Sequence, residues 1–237
     1  MAKRSSAPKQ SITRRILGWL GRALLIFVAV SVLWVVIYRF LPPPVTVTMI
    51  ANSGGGRGIT KDWMSLSQMD RNMPLAAIAA EDGNFCKHHG FDFGAMQKAL
   101  SSNIEGDRKI RGGSTISQQT AKNAFLFQGG GYARKALEAW FTVLIELIWG
   151  KQRIMEVYLN IAETGIGTYG ANAGAMRYFH HDASRLSRSE AARIAAVLPL
   201  PKKRGAIAPT GFTRRYGDRI ARRIGQVDLY GFGNCLR

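Results

Sequence analysis

One stretch constrains this chain more than any other: residues 16–40 form an apolar run behind a basic tail. Residues 1–15 carry Lys3, Arg4, Lys9, Arg14 and Arg15 and no acid. The centre of the run, 23–37, has no charge and a single hydroxyl residue, Ser31. With 16–21 included, its length suits a helix crossing a hydrocarbon core of roughly 30 Å. Arg22 interrupts the start, but a long Arg side chain near a helix end can reach the head groups. Trp19, Trp34 and Tyr38 are plausible interfacial anchors. A cleaved signal peptide shares the basic start. Its apolar core is shorter, however, and Leu41-Pro42-Pro43-Pro44 lacks a small-x-small cleavage pattern. The expectation is a basic cytoplasmic tail over 1–15 and a transmembrane anchor over 16–41. The positive-inside rule then places the rest outside the cytoplasm, which in a bacterium means an inner-membrane protein with a periplasmic domain.

That topology decides how the charge is read. Lys and Arg number 33 against 15 Asp and Glu, a formal +18, and such an excess points to a polyanionic partner. Seven basic residues and no acid lie in 1–41, so the exported part keeps 26 basic against 15 acidic residues, a net +11. Nucleic acid is scarce in that compartment and is not an expected partner. A lipid-linked phosphate and the membrane lipids are better ones. Two cysteines and four histidines exclude a disulfide scaffold and a zinc finger and argue against transition-metal chemistry.

Residues 42–237 have the size of one domain. Pro42–44 and the Gly-rich 53–58 read as a stalk leading into it over 42–69, with the domain proper over 70–237. Helical patterning dominates. Pro74 before an Ala-rich run reads as a helix start. Residues 114–127 and 134–149 recur near every 3.6, the second with Leu137, Phe141, Leu144, Ile145 and Ile148 on one face. Residues 151–160 continue as a helix, and Ser187 with Glu190 fits a capping box that opens another. The best strand candidate is 45–50. The fold class is mostly α.

Three constellations carry chemistry. Glu81-Asp82-x-x-Phe85-Cys86-x-His88-x-Gly90 comes after the Ala-rich run, where partial desolvation raises a carboxylate's pKa towards a value useful for proton transfer. For an acid pair alone, a solvated helix end is the plainer reading. Gly112-Gly113-Ser114-Thr115 leads into a helix whose free N–H groups favour anions. There Ser114, Gln118 and Lys122, at i, i+4 and i+8, would form a polar ridge; an ordinary exposed face is the alternative. Arg134-Lys135-x-x-Glu138 could be only a surface ion-pair patch. Lys151, Arg153, Glu156, Tyr158 and Asn160 read as scaffold.

Taken together, these segments resemble the ordered motifs of the family 51 peptidoglycan glycosyltransferases. Residues 81–90 look like the first motif, 112–123 the second, 134–138 the third and 151–160 the fourth. Residues 167–179 and 190–201 resemble the family's later segments, so the resemblance covers about 70–215. It implies a lysozyme-like glycosyltransferase domain behind one N-terminal transmembrane helix. It also implies polymerisation of lipid II on the growing glycan strand, with a β-1,4 linkage, inversion at the anomeric carbon and release of undecaprenyl pyrophosphate. Glu81 would be the general base, and Glu138 would assist near the donor pyrophosphate. Asp82, Phe85, His88, Gly113, Ser114, Thr115, Gln118, Gln119, Lys122, Asn123, Arg134 and Lys135 would line the substrate groove. Lys122, Arg134 and Lys135 would offset leaving-group charge. The resemblance implies no organic cofactor. Glu138 is the one candidate ligand for a divalent metal, Mg or Mn. Cell-wall synthases or division proteins are the protein partners to look for.

Two departures stand out. Related monofunctional enzymes often carry an Arg eight residues after the motif-two Lys, where this chain has Gly130. Cys86 lies inside the first motif. Pairing with Cys235 is conceivable in an oxidising compartment, but free thiols are the expectation, since nothing else in the sequence supports a bridge to the chain end. A transpeptidase domain is not expected: the one Ser-x-x-Lys, Ser6 to Lys9, lies in the tail, and Lys-Thr-Gly does not occur. A glycan-cleaving enzyme could share the fold but has little use for the motif-two and motif-three cations. An inactive tethered scaffold draws its only support from Gly130.

Overall fold

The computed structural model describes residues 12–53, 58–104, 113–127 and 129–237. Most of the expected tail, the 54–57 segment and Gly112 lie outside the described residues. As expected, the chain is mostly α, behind one apolar N-terminal helix.

Helix α1 (Ile12–Phe40) has the length and mean hydropathy, 2.5, of a membrane span. Leu17, Trp19, Leu24 and Leu25 are exposed along its first half. The second half docks on the domain, and here the expectation for two aromatics needs correcting. Trp34 packs edge-on against Phe125 and Phe141, and Tyr38 stacks on Phe125. They clamp the anchor to the domain instead of serving as free interfacial anchors. The clamp closes with hydrogen bonds: Trp140 Nε1 donates to Ser31 Oγ at 3.1 Å, and Trp149 Nε1 donates to the Val35 carbonyl at 2.7 Å.

Residues 45–50 do not form a strand. Helix α2 (Val47–Asn52) occupies them, because the Thr46 side chain caps the Met49 N–H and Thr48 Oγ1 donates to the Leu126 carbonyl. Strand β1 (Thr60–Lys61) comes next. Described parts of 42–69 are therefore packed into the domain, with Thr48, Met49 and Met69 buried.

Helix α3 (Asn72–Glu81) has Pro74 in its first turn, where the ring removes no intrahelical bond. It is buried on nearly every side from Met73 to Ala79. Its alanines permit close approach to the helices at 188–197 and 211–229. Helix α4 (Phe93–Ile104) precedes α5 (Ile116–Phe125), α6 (Gly131–Ile148) and α7 (Gly150–Ile161). The face predicted for α6 is the one it buries, with Phe141, Leu144 and Ile145 in the core.

Strands β2 (Glu163–Gly165) and β3 (Thr168–Tyr169) complete a small sheet of order β1-β3-β2, parallel then antiparallel. Helix α8 (Ala171–Phe179) leads to α9 (Arg188–Val197), which opens on the predicted Ser187–Glu190 capping box. Helix α10 (Gly211–Leu229) lies against both α9 and α3. That path brings the chain end back to the loop after Glu81. Cys86 and Cys235 consequently form a disulfide with Cα atoms 5.5 Å apart, and the expectation of free thiols is corrected.

Candidate active site

Glu81 is the last residue of α3, so the helix aims its side chain into the space between α5, α9 and α10. Two cavities meet there. The first, about 390 Å³, is lined by Asp82, Asn84, Asp92, Ser114, Arg223 and neighbours. The second, about 650 Å³, takes in Thr48, Gln119, Lys122, Asn123 and Tyr158 and ends at 198–203. Glu81 lines both. Burial raises its pKa, as the Ala-rich helix implied. A hydrogen bond from Gln119 Nε2 at 2.9 Å and the charges of Arg204 and Lys122 work the other way. The result is a carboxylate with raised proton affinity and one amide holding it in place.

Asp82 has a different task. Its carboxylate meets His88 Nε2 at 3.0 Å and accepts from the Ile116 N–H at 2.9 Å. Thr115 caps α5 by accepting from the Gln118 N–H, while Gln118 Oε1 accepts from the Thr115 N–H. The helix N-terminus expected to receive a substrate anion is already served by Asp82 and Thr115. Because Thr115 is the cap, Ser114 precedes the helix and Gln118 turns inward, so the predicted Ser114–Gln118–Lys122 ridge does not exist. Phe85 and Gln118 are buried and line neither cavity, which makes them supports of the groove, whereas Thr115, also buried, lines the first cavity. Gly113 lies where a Cβ would come within 3.2 Å of the Met96 Cα.

Ser114, Gln119, Lys122 and Asn123 do face the cavities. Burial lowers the Lys122 pKa, with the Arg134 and Lys135 charges adding to the effect and Glu138 opposing it. Glu138 itself is 3% exposed and lines neither cavity. Arg134 Nη1 donates to its Oε2 at 2.8 Å, and Lys135 Nζ donates to its Oε1. Lys135 Nζ also reaches Ser114 Oγ at 3.4 Å, tying motif three to motif two. Glu138 thus fixes two cations. Both its oxygens are taken, and no group of three metal-ligating side chains occurs among the described residues, so this donor set does not fit a resident divalent ion.

The fourth set is scaffold as expected, with one exception. Lys151 pairs with Glu146 and Arg153 with Glu156, while Asn160 Nδ2 donates to the Met64 carbonyl. Tyr158 instead lines the second cavity. Sequence reasoning also missed Arg204 and, on α10, Arg223. The Lys202-Lys203-Arg204 run was visible in the sequence, but its approach to Glu81 depends on how α9 and α10 pack.

A mostly helical domain behind one apolar helix thus holds a buried carboxylate between two cavities, with a cluster of fixed cations nearby. The family described as transglycosylase matches residues 48–224. The chain belongs to that family and is a glycosyltransferase. It is similar to proteins named biosynthetic peptidoglycan transglycosylase. That of Caulobacter vibrioides is 50% identical over 94% of this chain and 97% of its own length. That of Xanthomonas euvesicatoria is 46% identical over 95% and 92%, and that of Pseudomonas aeruginosa is 46% identical over 92% and 94%.

Proposed function

We propose that this enzyme builds peptidoglycan by polymerising lipid II into β-1,4 glycan strands. The observation that carries the reading is the position of Glu81, which lines both cavities with a raised pKa. An acceptor sugar in one cavity and a donor anomeric carbon in the other meet at its carboxylate.

Glu81 takes the proton of the acceptor 4-hydroxyl as the oxygen attacks. The new glycosidic bond forms opposite the breaking bond to pyrophosphate, so the anomeric carbon inverts. Undecaprenyl pyrophosphate leaves with the bonding electrons, and the proton passes from Glu81 to solvent. Lys122, Arg134 and Lys135 stabilise the charge that develops on the leaving group, and Glu138 holds the latter two in place.

The anchor supports an inner-membrane enzyme with its N-terminus in the cytoplasm and its domain in the periplasm. There it would work on the lipid-linked substrate and the growing strand, beside membrane lipids and with cell-wall synthases or division proteins as partners. The deciding experiment is glycan polymerisation from lipid II by full-length protein, wild type against Glu81→Gln. Polymer from the wild type alone is expected. Binding without polymer from the wild type would leave a tethered scaffold, and loss of mass from preformed sacculi would indicate cleavage.

A further inference from the structure

Tyr158 is 1% exposed and lines the larger cavity, and its hydroxyl has no hydrogen-bond partner among the described residues. Three other polar side chains of that cavity are committed. Gln119 Nε2 donates to Glu81, Thr48 Oγ1 donates to the Leu126 carbonyl, and Asn52 Oδ1 accepts from Lys202 Nζ at 2.9 Å. A second phenol beside the site behaves as an ordinary structural one, since Tyr216 Oη donates to the Ala80 carbonyl at 2.8 Å. Burying a hydroxyl without an acceptor is unfavourable, and a phenylalanine would fill the same volume without that penalty. The Tyr158 hydroxyl is a donor waiting for an oxygen that none of the described residues supplies. Glu81, the reacting carboxylate, lines the same cavity.

We propose that the Tyr158 hydroxyl donates a hydrogen bond to an oxygen of the pyranose seated in the larger cavity and so fixes that sugar against Glu81. This rests on the glycan-polymerising reading of the site. The ligand class is a hexopyranose, whose ring, hydroxyl and N-acetyl oxygens are all acceptors. The contact exists in the bound substrate and persists through the reaction, so its loss appears mainly in KM.

The test is Tyr158→Phe in the full-length protein, with lipid II as substrate, measuring kcat, KM and the melting temperature. Tyr216→Phe serves as the stability control. The expected result is a fall of about tenfold in kcat/KM, carried mostly by KM, in a variant that melts no lower than wild type. Tyr216→Phe should melt lower, because it strips the Ala80 carbonyl of its donor. A Tyr158→Phe enzyme with kcat/KM within twofold of wild type overturns the inference. So does one whose loss of activity comes with a drop of several degrees in melting temperature, since the hydroxyl would then have a structural partner. If the wild type makes no polymer, the glycan-polymerising reading falls and takes this inference with it.

Discussion

Glu81 and Glu138 are both helix-borne carboxylates of ordered motifs, yet the protein surrounds them in opposite ways. Glu81 ends α3, lines two cavities and has one neutral amide as its partner. Glu138 sits inside α6 with a cation on each oxygen and lines neither cavity. The first environment disfavours the charged form and leaves a base ready to take a proton. The second satisfies the charge and leaves nothing free to react. Residue type and motif membership therefore do not assign the chemistry. What the side chain is allowed to touch does.

Substitution with the isosteric amide should separate the two. Glu81→Gln removes the base, and polymerisation should fall about 10²- to 10⁴-fold. The same change removes a carboxylate whose burial is unfavourable, so the variant should melt at or above the wild-type temperature. Linkage gives the sign. A carboxylate with a raised native pKa takes up its proton in the native state first, so its penalty exists above that pKa and is relieved on acidification. Activity runs the other way, because the base must be ionised. The acid limb of kcat/KM should therefore lie above the ordinary glutamate value of 4.5 and vanish in Glu81→Gln. An acid limb at or below that value would remove Glu81 from the role of base.

Glu138→Gln should damage the fold as well. It leaves Arg134 and Lys135 without their buried counter-charge, a loss of about 3 kcal/mol in unfolding free energy. Polymerisation should fall with it, because the two cations lose their positions. A variant as stable as wild type but inactive would break the contrast, showing that Glu138 touches substrate and does not merely hold cations.

The disulfide lies on the Glu81 side of this comparison. It ties the loop after Glu81 to the chain end, whose Phe232 lines the first cavity and lies under the Lys87 ammonium at 4.2 Å. Cys86→Ser should lower stability by about 2–4 kcal/mol, measured by denaturant unfolding under non-reducing conditions. Polymerisation of the folded variant should drop by less than in Glu81→Gln. An unchanged midpoint would show that helix packing alone holds that wall.

The same division separates the features legible in the sequence from those hidden in it. The buried face of α6, the Ser187–Glu190 box and the desolvated end of α3 are local patterns of period and neighbour, and all are readable. The β-branched Val45, Thr46, Val47 and Thr48 favour the strand expected at 45–50, and it fails because the Thr46 cap and the reach of Thr48 to Leu126 hold a helix turn there. The Ser114–Gln118–Lys122 ridge fails because one residue, Thr115, takes the cap. Asp82 is expected only to line the substrate groove, and the fold reveals that it also holds the start of α5, 34 residues away. The Cys86–Cys235 bond, Arg204 and Tyr158 depend on how α7, α9 and α10 pack, which no local pattern carries.

Gly130 offers the finest test. The family pattern expects an arginine there, and the obvious experiment is to restore it. The backbone resists: Gly130 has φ of 85°, a left-handed conformation that side chains rarely adopt, and a Cβ would stand 2.9 Å from the Arg134 Cβ. Arg134 meanwhile donates from Nε to the Gly129 carbonyl and from Nη1 to Glu138, so the loop and the cation are built around the glycine. Gly130→Arg should therefore lose about 1–2 kcal/mol of stability and fail to raise polymerisation, because it pushes Arg134 off Glu138 as it adds its own charge. Gly130→Ala separates the two effects, losing the same stability without adding a cation. If Gly130→Arg polymerises faster than wild type, the cation cluster is short of charge and Glu138 is not the element that sets its strength.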